Sequence, residues 1–326
     1  LPGEFELIAR YFAPLAAGAP GAFNLTDDVA TVDVEASEQL VVKTDAIVAG
    51  VHFLPDDSPD LVGRKLLRVN LSDLAGKGAR PLGYLLTCAF PADLDEAWVA
   101  KFVEGLAADQ RKFGLSLLGG DTTATPGPLT LSATVLGAIG KGRLPWRGAA
   151  QAGDAVLVSG TLGDGALGLE VQRRDFPELD AAGRAQLIDR YRLPRPRLQL
   201  GRALVEAGLV HAAMDISDGL LADLGHICGT SKLGADVEWA RVPMSAPAAA
   251  LVAARAQLRE RIVAGGDDYE LLLTAAPGDV PPALVLAQRV GVALTPIGRM
   301  SAGSGVRIRD ESGSEIAISS TGYRHF

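Results

Sequence analysis

Five acidic segments recur along this 326-residue chain: Asp27-Asp28, Thr44-Asp45, Asn70-Leu71-Ser72-Asp73, Gly119-Gly120-Asp121-Thr122 and Asp215-Ile216-Ser217-Asp218-Gly219. Each is flanked by apolar residues. Taken singly, such a segment is most often a cap or a turn, because Asp and Ser satisfy free backbone donors at helix starts. Five together argue for more. A carboxylate following an apolar strand, as at residues 41–45 or 115–121, is carried to the strand's mouth, where sites are usually built. Two carboxylates about 4 Å apart repel by roughly 4 kcal/mol at an effective dielectric of about 20, so gathering several requires cations. Oxygen ligands without His or Cys companions select hard ions, and magnesium shared with phosphate is the usual case. The expected chemistry is a magnesium-dependent site for nucleotide phosphates.

Other residues add detail. Gly119-Gly120 would let backbone amides approach a phosphate, although turn chemistry explains a glycine pair equally well. Arg147 is a candidate contact for a transferring phosphoryl group, a solvated surface arginine being the commoner role. His52 lies just beyond Thr44-Asp45; a structural histidine is the default and a substrate contact the sharper alternative. Gly163-Asp164-Gly165-Ala166-Leu167-Gly168 satisfies G-x-G-x-x-G, but no acid sits at a clear strand end about 20 residues on, and a dinucleotide site would leave the acidic segments unexplained. A tight turn with close helix packing is expected there. No Gly-x-x-x-x-Gly-Lys-Ser/Thr, no protein-kinase pair of His-Arg-Asp and Asp-Phe-Gly and no Gly-x-Ser-x-Gly occurs, and there are only 4 histidines. P-loop enzymes, protein kinases and serine hydrolases are thereby set aside.

Composition narrows the class further. With 39 acids against 31 Lys plus Arg, a formal charge of −8 and no basic run, the chain lacks the footprint that nucleic acid requires. Its 2 cysteines, Cys88 and Cys228, sit in apolar stretches outside any Cys-x-x-Cys pair, which fits reduced core thiols and a cytoplasmic location. No run of about 18 apolar residues is present, and Glu4, Glu6 and Arg10 break the apolar region that a signal peptide needs, so no membrane segment is expected.

These residues need elements to hold them. Residues 40–47 read as a buried strand ending in Thr44-Asp45, and a helix follows in which Leu66, Leu67, Asn70 and Asp73 fall at helical spacings. Residues 83–90 read as a strand. Asp93 with Glu96 resembles a capping box opening a helix that stacks Trp98, Phe102 and Leu106 and closes at Gly114. Strands follow at 115–118 and 129–139, and the Gly- and Pro-containing stretch 140–153 is the expected boundary between domains 1–143 and 144–326. Beyond it, strands at 155–159, 235–239, 270–275 and 292–297 alternate with helices at 163–174, 181–192, 220–228, 246–259 and 281–290. That alternation, with 48% hydrophobic residues, predicts two α/β or α+β cores.

In their order, these segments resemble the thiamine-monophosphate kinases, members of the superfamily typified by aminoimidazole ribonucleotide synthetase. The resemblance begins at Gly3-Glu4-Phe5 and runs through Thr44-Asp45 to His52-Phe53, Val69-Asn70-Leu71-Ser72-Asp73, Gly119-Gly120-Asp121-Thr122 and Asp215-Ile216-Ser217-Asp218-Gly219-Leu220. It ends with Gly265-Gly266-Asp267-Asp268-Tyr269-Glu270-Leu271 and Gly322-Tyr323-Arg324-His325-Phe326. It implies two α/β domains, the first with a mixed sheet that contributes to a homodimer, the second covering nucleotide and substrate. It implies ATP-dependent phosphorylation of thiamine monophosphate to thiamine diphosphate, by direct transfer between several magnesium ions. By the same resemblance Asp28, Thr44, Asp45, Asp73, Asp121, Asp215 and Asp218 hold magnesium; Gly120, Asp121, Arg147 and Ser217 hold ATP; and His52, Asp267 and Tyr323 line the thiamine-phosphate pocket. Asp45, Asp121 and Arg147 form the catalytic set.

Three positions depart from the family pattern. Thr26 replaces the glycine before Asp27-Asp28, and Asp267 stands where glutamate is common. Lys43 stands where Ser or Thr often precedes the Thr-Asp pair and contributes to the metal site. A protonated ammonium is no magnesium ligand, so either a backbone oxygen of Lys43 serves or one ion binds less firmly. Among relatives, selenophosphate synthetase needs a reactive Cys in an N-terminal glycine-rich loop and the hydrogenase-maturation enzymes a C-terminal Cys, and neither is here. The remaining alternatives are another ATP-using enzyme of the superfamily and a non-catalytic nucleotide-binding member.

Overall fold

β-Branched and apolar residues open the first sheet, and a pair of helices covers it. The computed structural model describes residues 3–26, 29–319 and 322, and the chain divides into two units, residues 1–74 with 79–141 and residues 75–78 with 142–326. The first unit holds α1 (Glu4–Leu7), β1 (Glu38–Val48), α2 (Pro59–Gly76, whose last turn clusters with the second unit), β2 (Arg80–Pro91), α3 (Glu96–Phe113), β3 (Ser116–Thr125) and β4 (Thr130–Gly140). Its sheet has the order β1-β4-β2-β3, in which β4 is antiparallel to both neighbours and β2 and β3 are parallel. Along β4, Leu131, Ala133 and Val135 are buried while Thr130, Ser132 and Thr134 take the other face, the period of two that a sheet covered on one side imposes.

Close approach of α2 and α3 depends on glycine. A Cβ at Gly105 would lie 2.0 Å from the Asp60 carbonyl oxygen, and one at Gly63 would lie 2.5 Å from that of Phe102. The α3 cap is Asp95, whose Oδ1 accepts the Trp98 N–H at 2.7 Å, and not the expected Asp93. Glu96 is already helical, and its carboxylate accepts instead from Arg10 at 2.5 Å and Tyr11 at 2.6 Å. Gly114, at φ 69°, ends the helix as its sequence position predicts.

Two strand expectations are corrected. Thr44-Asp45 lies inside β1, which is only half-buried, and Gly119-Gly120-Asp121-Thr122 lies inside β3. Neither pair sits at a strand's mouth, because backbone pairing continues through the polar residues: Asp45 is opposite Ala133, and Asp121 is opposite Thr87.

The second unit holds β5 (Ala155–Ser159), α4 (Asp164–Arg173), α5 (Ala181–Arg192), α6 (Leu198–Glu206), β6 (Ala212–Asp215), α7 (Leu220–Ser231) and β7 (Gly234–Glu238). It continues with α8 (Ala246–Ala254), α9 (Arg259–Ala264), β8 (Leu271–Ala275), α10 (Val280–Arg289), β9 (Leu294–Ser301) and β10 (Gly305–Arg309). The sheet order is β10-β7-β9-β5-β8-β6. Apolar residues along its central strands feed two cores in turn. Val156, Val158 and Leu272 pack with Leu167, Leu187, Leu224, Leu251 and Ile262, from α4, α5, α7, α8 and α9. Leu157, Leu271 and Leu273 pack with Leu200 and Leu204 of α6 and Ala283 and Ala287 of α10. Helices therefore cover both faces, which is why these strands read as continuous apolar runs. The helix expected over 246–259 is broken after Ala254 by a short 3-10 turn at Ala256–Leu258.

Candidate active site

In the first unit, strand periodicity puts Lys43 and Asp45 on the same face of β1. Asp73, on α2, faces them: Lys43 Nζ lies 3.2 Å from Asp45 Oδ1 and 3.1 Å from Asp73 Oδ2. Burial alone would lower the lysine pKa, but Asp73 and Asp45 more than offset it and hold the group above its ordinary value, so the ammonium stays charged. The Lys43 side chain is thus a cation between two candidate ligands and not itself a ligand. Asn70 sets the spacing. Its Oδ1 accepts the Asp45 N–H at 3.0 Å and its Nδ2 donates to the Leu66 carbonyl at 2.9 Å, tying β1 to α2. Thr44 belongs to the next row, where its hydroxyl meets that of Thr134 at 3.0 Å.

Asp121 is not brought into this group. β1 and β3 are the two edges of the sheet, separated by β4 and β2, and three strand spacings of about 4.8 Å each exceed what one ion bridges. Gly120 has a packing role: a Cβ there would lie 1.8 Å from the Leu86 carbonyl oxygen, next to the register shift that leaves Leu118 unpaired. His52 is fixed within the turn after β1. Its Nδ1 accepts the Val48 N–H at 3.1 Å, and its carbonyl accepts from Lys65 Nζ at 2.9 Å. A neutral ring so held carries its proton on Nε2.

In the second unit, the acidic segment after β6 is stitched to residues 267–270. The Asp267 N–H donates to the Ser217 carbonyl at 2.9 Å, Tyr269 N–H to Ile216 at 2.8 Å, and Ile216 N–H to Glu270 at 2.8 Å. Close fit is again required: a Cβ at Gly266 would lie 2.4 Å from the Ser217 carbonyl oxygen. Asp267 and Tyr269 hold φ of 69° and 52°, a left-handed conformation uncommon for non-glycine residues. The structure thus joins Asp215, Ser217 and Asp218 to Asp267, segments distant in the chain.

One positioning residue escaped sequence reasoning. Asp223, buried in the first turn of α7, accepts the N–H groups of Ser217, Asp218 and Gly219 at 3.0, 3.1 and 3.2 Å. Burial, then the Asp218 charge, push its carboxyl up to about 7 against the pull of those donors. An acid four residues after Gly219 at a helix start was the available signal. Arg147 is held by its backbone, whose carbonyl accepts from Ser231 Oγ at 3.3 Å.

The glycine segment at 163–168 opens α4: Gly163, at φ 83°, makes the tight turn before the helix, and residues 164–168 are its first turns. Its N–H groups at Gly163 and Gly165 donate to the buried Asp268 carboxylate at 2.8 and 3.2 Å, so a protein acid takes the place that a phosphate would have. A Cβ at Gly168 would lie 2.1 Å from the Leu187 carbonyl oxygen, the close helix packing expected there. Behind it, Glu270 accepts from Ser159 Oγ at 2.5 Å, Arg190 at 2.9 Å and Arg197 at 2.7 Å.

The fit to magnesium is partial. The donors are all oxygen, as a hard ion wants. Among the described residues, however, no three His, Cys, Asp or Glu side chains converge on a metal position, and Lys43 occupies the space between Asp45 and Asp73. Asp27, Asp28 and Tyr323 lie outside the described residues. Among the described residues no helix is long and apolar enough to cross a membrane.

The comparisons with known proteins agree over nearly the full length. The model of the AIR synthase related protein N-terminal domain matches residues 26–139, and that of the C-terminal domain matches residues 151–311. The thiamine-monophosphate kinase of Caulobacter vibrioides is 42% identical, over 99% of this chain and 91% of that protein. A crystal structure of thiamine-monophosphate kinase from Stenotrophomonas maltophilia is 40% identical, with a TM-score of 0.81, covering 90% of this chain and 91% of the other. A structure of AaThiL complexed with AMPPCP and TMP is 30% identical, with a TM-score of 0.78, covering 99% of this chain and 97% of the other.

Proposed function

The chain belongs to the thiamine-monophosphate kinase family, and from that premise we propose that it phosphorylates thiamine monophosphate with ATP, giving thiamine diphosphate and ADP. The observation that carries this reading is the junction of 215–219 with 267–270, built from hydrogen bonds and left-handed residues, in a chain similar over 97% of its partner's length to a protein solved with AMPPCP and TMP.

In this reading Asp28, Thr44, Asp45, Asp73, Asp121, Asp215 and Asp218 hold magnesium, which when bound supplies charge neutralisation along the phosphates. Gly120, Asp121, Arg147 and Ser217 hold ATP; His52, Asp267 and Tyr323 hold the thiamine phosphate. The acceptor is an ionised phosphate at neutral pH, so no general base is needed and the chain's work is positioning. Asn70 places Asp45, and Asp223 fixes the loop carrying Ser217 and Asp218. Residues 1–143 are the nucleotide, magnesium and dimerisation domain in this reading, and residues 144–326 the covering domain. Exposed Leu40, Val42 and Leu85 on the first sheet support a homodimer. The acidic charge and free cysteines support a cytoplasmic enzyme without nucleic-acid partners.

The test is to incubate the purified protein with ATP, magnesium and thiamine monophosphate and to separate the products. Thiamine diphosphate formed in step with ADP is expected. Nucleotide binding without that product would overturn the reading.

A further inference from the structure

We propose that the Lys43 ammonium is a built-in cation of the phosphate site, filling a position that a divalent ion would otherwise take between Asp45 and Asp73. The proposal rests on the reading of Asp45 and Asp73 as cation-binding carboxylates. Its own basis is the geometry in the first unit: one nitrogen 3.2 Å from Asp45 Oδ1 and 3.1 Å from Asp73 Oδ2.

A magnesium ion needs oxygens at about 2.1 Å, so two ligands on one ion stand closer together than an ammonium allows at these distances. Lysine and ion therefore compete for the same space and charge. The lysine is well placed to win. Its backbone is locked in the β1–β4 ladder opposite Val135, and Asn70 holds the neighbouring Asp45 backbone to α2. The side chain is 34% exposed and paired at both carboxylates, so no rearrangement is needed for it to act. An ammonium cannot be diluted away or chelated, as a free ion can. The chain should therefore hold Asp45 and Asp73 together in metal-free buffer and take up fewer divalent ions than its acids alone would invite.

The probe is manganese, counted per chain by the electron paramagnetic resonance of the free ion, with a saturating non-hydrolysable ATP analogue. Lys43→Ser and the near-isosteric Lys43→Met are expected to bind one more ion per chain than the starting protein, and Lys43→Arg the same number. In metal-free buffer the two neutral variants should melt at lower temperature, and manganese should restore the loss. Equal counts with affinities within about twofold, or a melting loss that manganese does not restore, overturn the proposal. Asp45→Asn placed in the Lys43→Ser protein separates the underlying reading: loss of the extra manganese ion is expected, and an extra ion that survives shows that Asp45 is no metal ligand, so that both readings fall.

Discussion

Asp45 and Asp121 carry the heaviest chemical expectation of any single residues, and each is half-buried or exposed with little packing to lose. Asp45→Asn and Asp121→Asn are therefore expected to abolish thiamine diphosphate formation while shifting the melting temperature by only a degree or two, on the scale of about 0.5 kcal/mol for surface substitutions. Retained turnover would remove them from the site. Asp223 should behave in the opposite way. Asp223→Ala leaves three N–H groups without their acceptor, and the loss should be about 2–3 kcal/mol in urea unfolding, with a weakened hold on nucleotide. At this scale the residue types were legible, since an all-oxygen donor set names its own ion class. Their contacts were not: nothing local says that Lys43 reaches Asp73, or that Asp268 rather than a phosphate fills the glycine loop.

At the scale of elements, apolar runs and turn residues placed most strands and helices, and the 155–159 strand and 181–192 helix stand where composition put them. β6 was missed because Ala212-Ala213-Met214-Asp215 has neither alternation nor β-branched residues; it is a strand only because β8 pairs with it. Gly105→Ala should cost about 3 kcal/mol by forcing α2 and α3 apart, measurable by thermal or urea unfolding. The edge pair β7–β10 makes an acid-sensitive prediction. Asp236 accepts from Arg307 at 3.0 Å and Arg309 at 2.9 Å, and the Arg307 bonds foremost hold its carboxyl well below the usual range. A carboxylate with a depressed folded-state pKa adds stability above its unfolded pKa of about 4 and loses it as the pH falls further. Asp236→Asn should therefore be less stable than the starting protein at neutral pH, and the gap should narrow below about pH 4. A gap of constant size would show that the pair is not charged.

For the whole molecule, the alternation of strands and helices was enough to announce α/β layers, and the ordered acidic segments were enough to point to the family. The second unit's interior is less forgiving than its sequence suggests. Glu270 and Arg190 are buried, and Glu270→Ala should strand the arginine at a cost of about 3–5 kcal/mol, with loss of cooperative unfolding as the outcome to watch. The sequence by itself determined the donor chemistry, the order of the segments and the apolar pattern, because these are properties of residue type and spacing. The tertiary structure alone decided which carboxylate meets which cation. Strand pairing and helix packing join Lys43 to Asp73 and Ser217 to Asp267, and those partners share no local pattern from which either contact could be read.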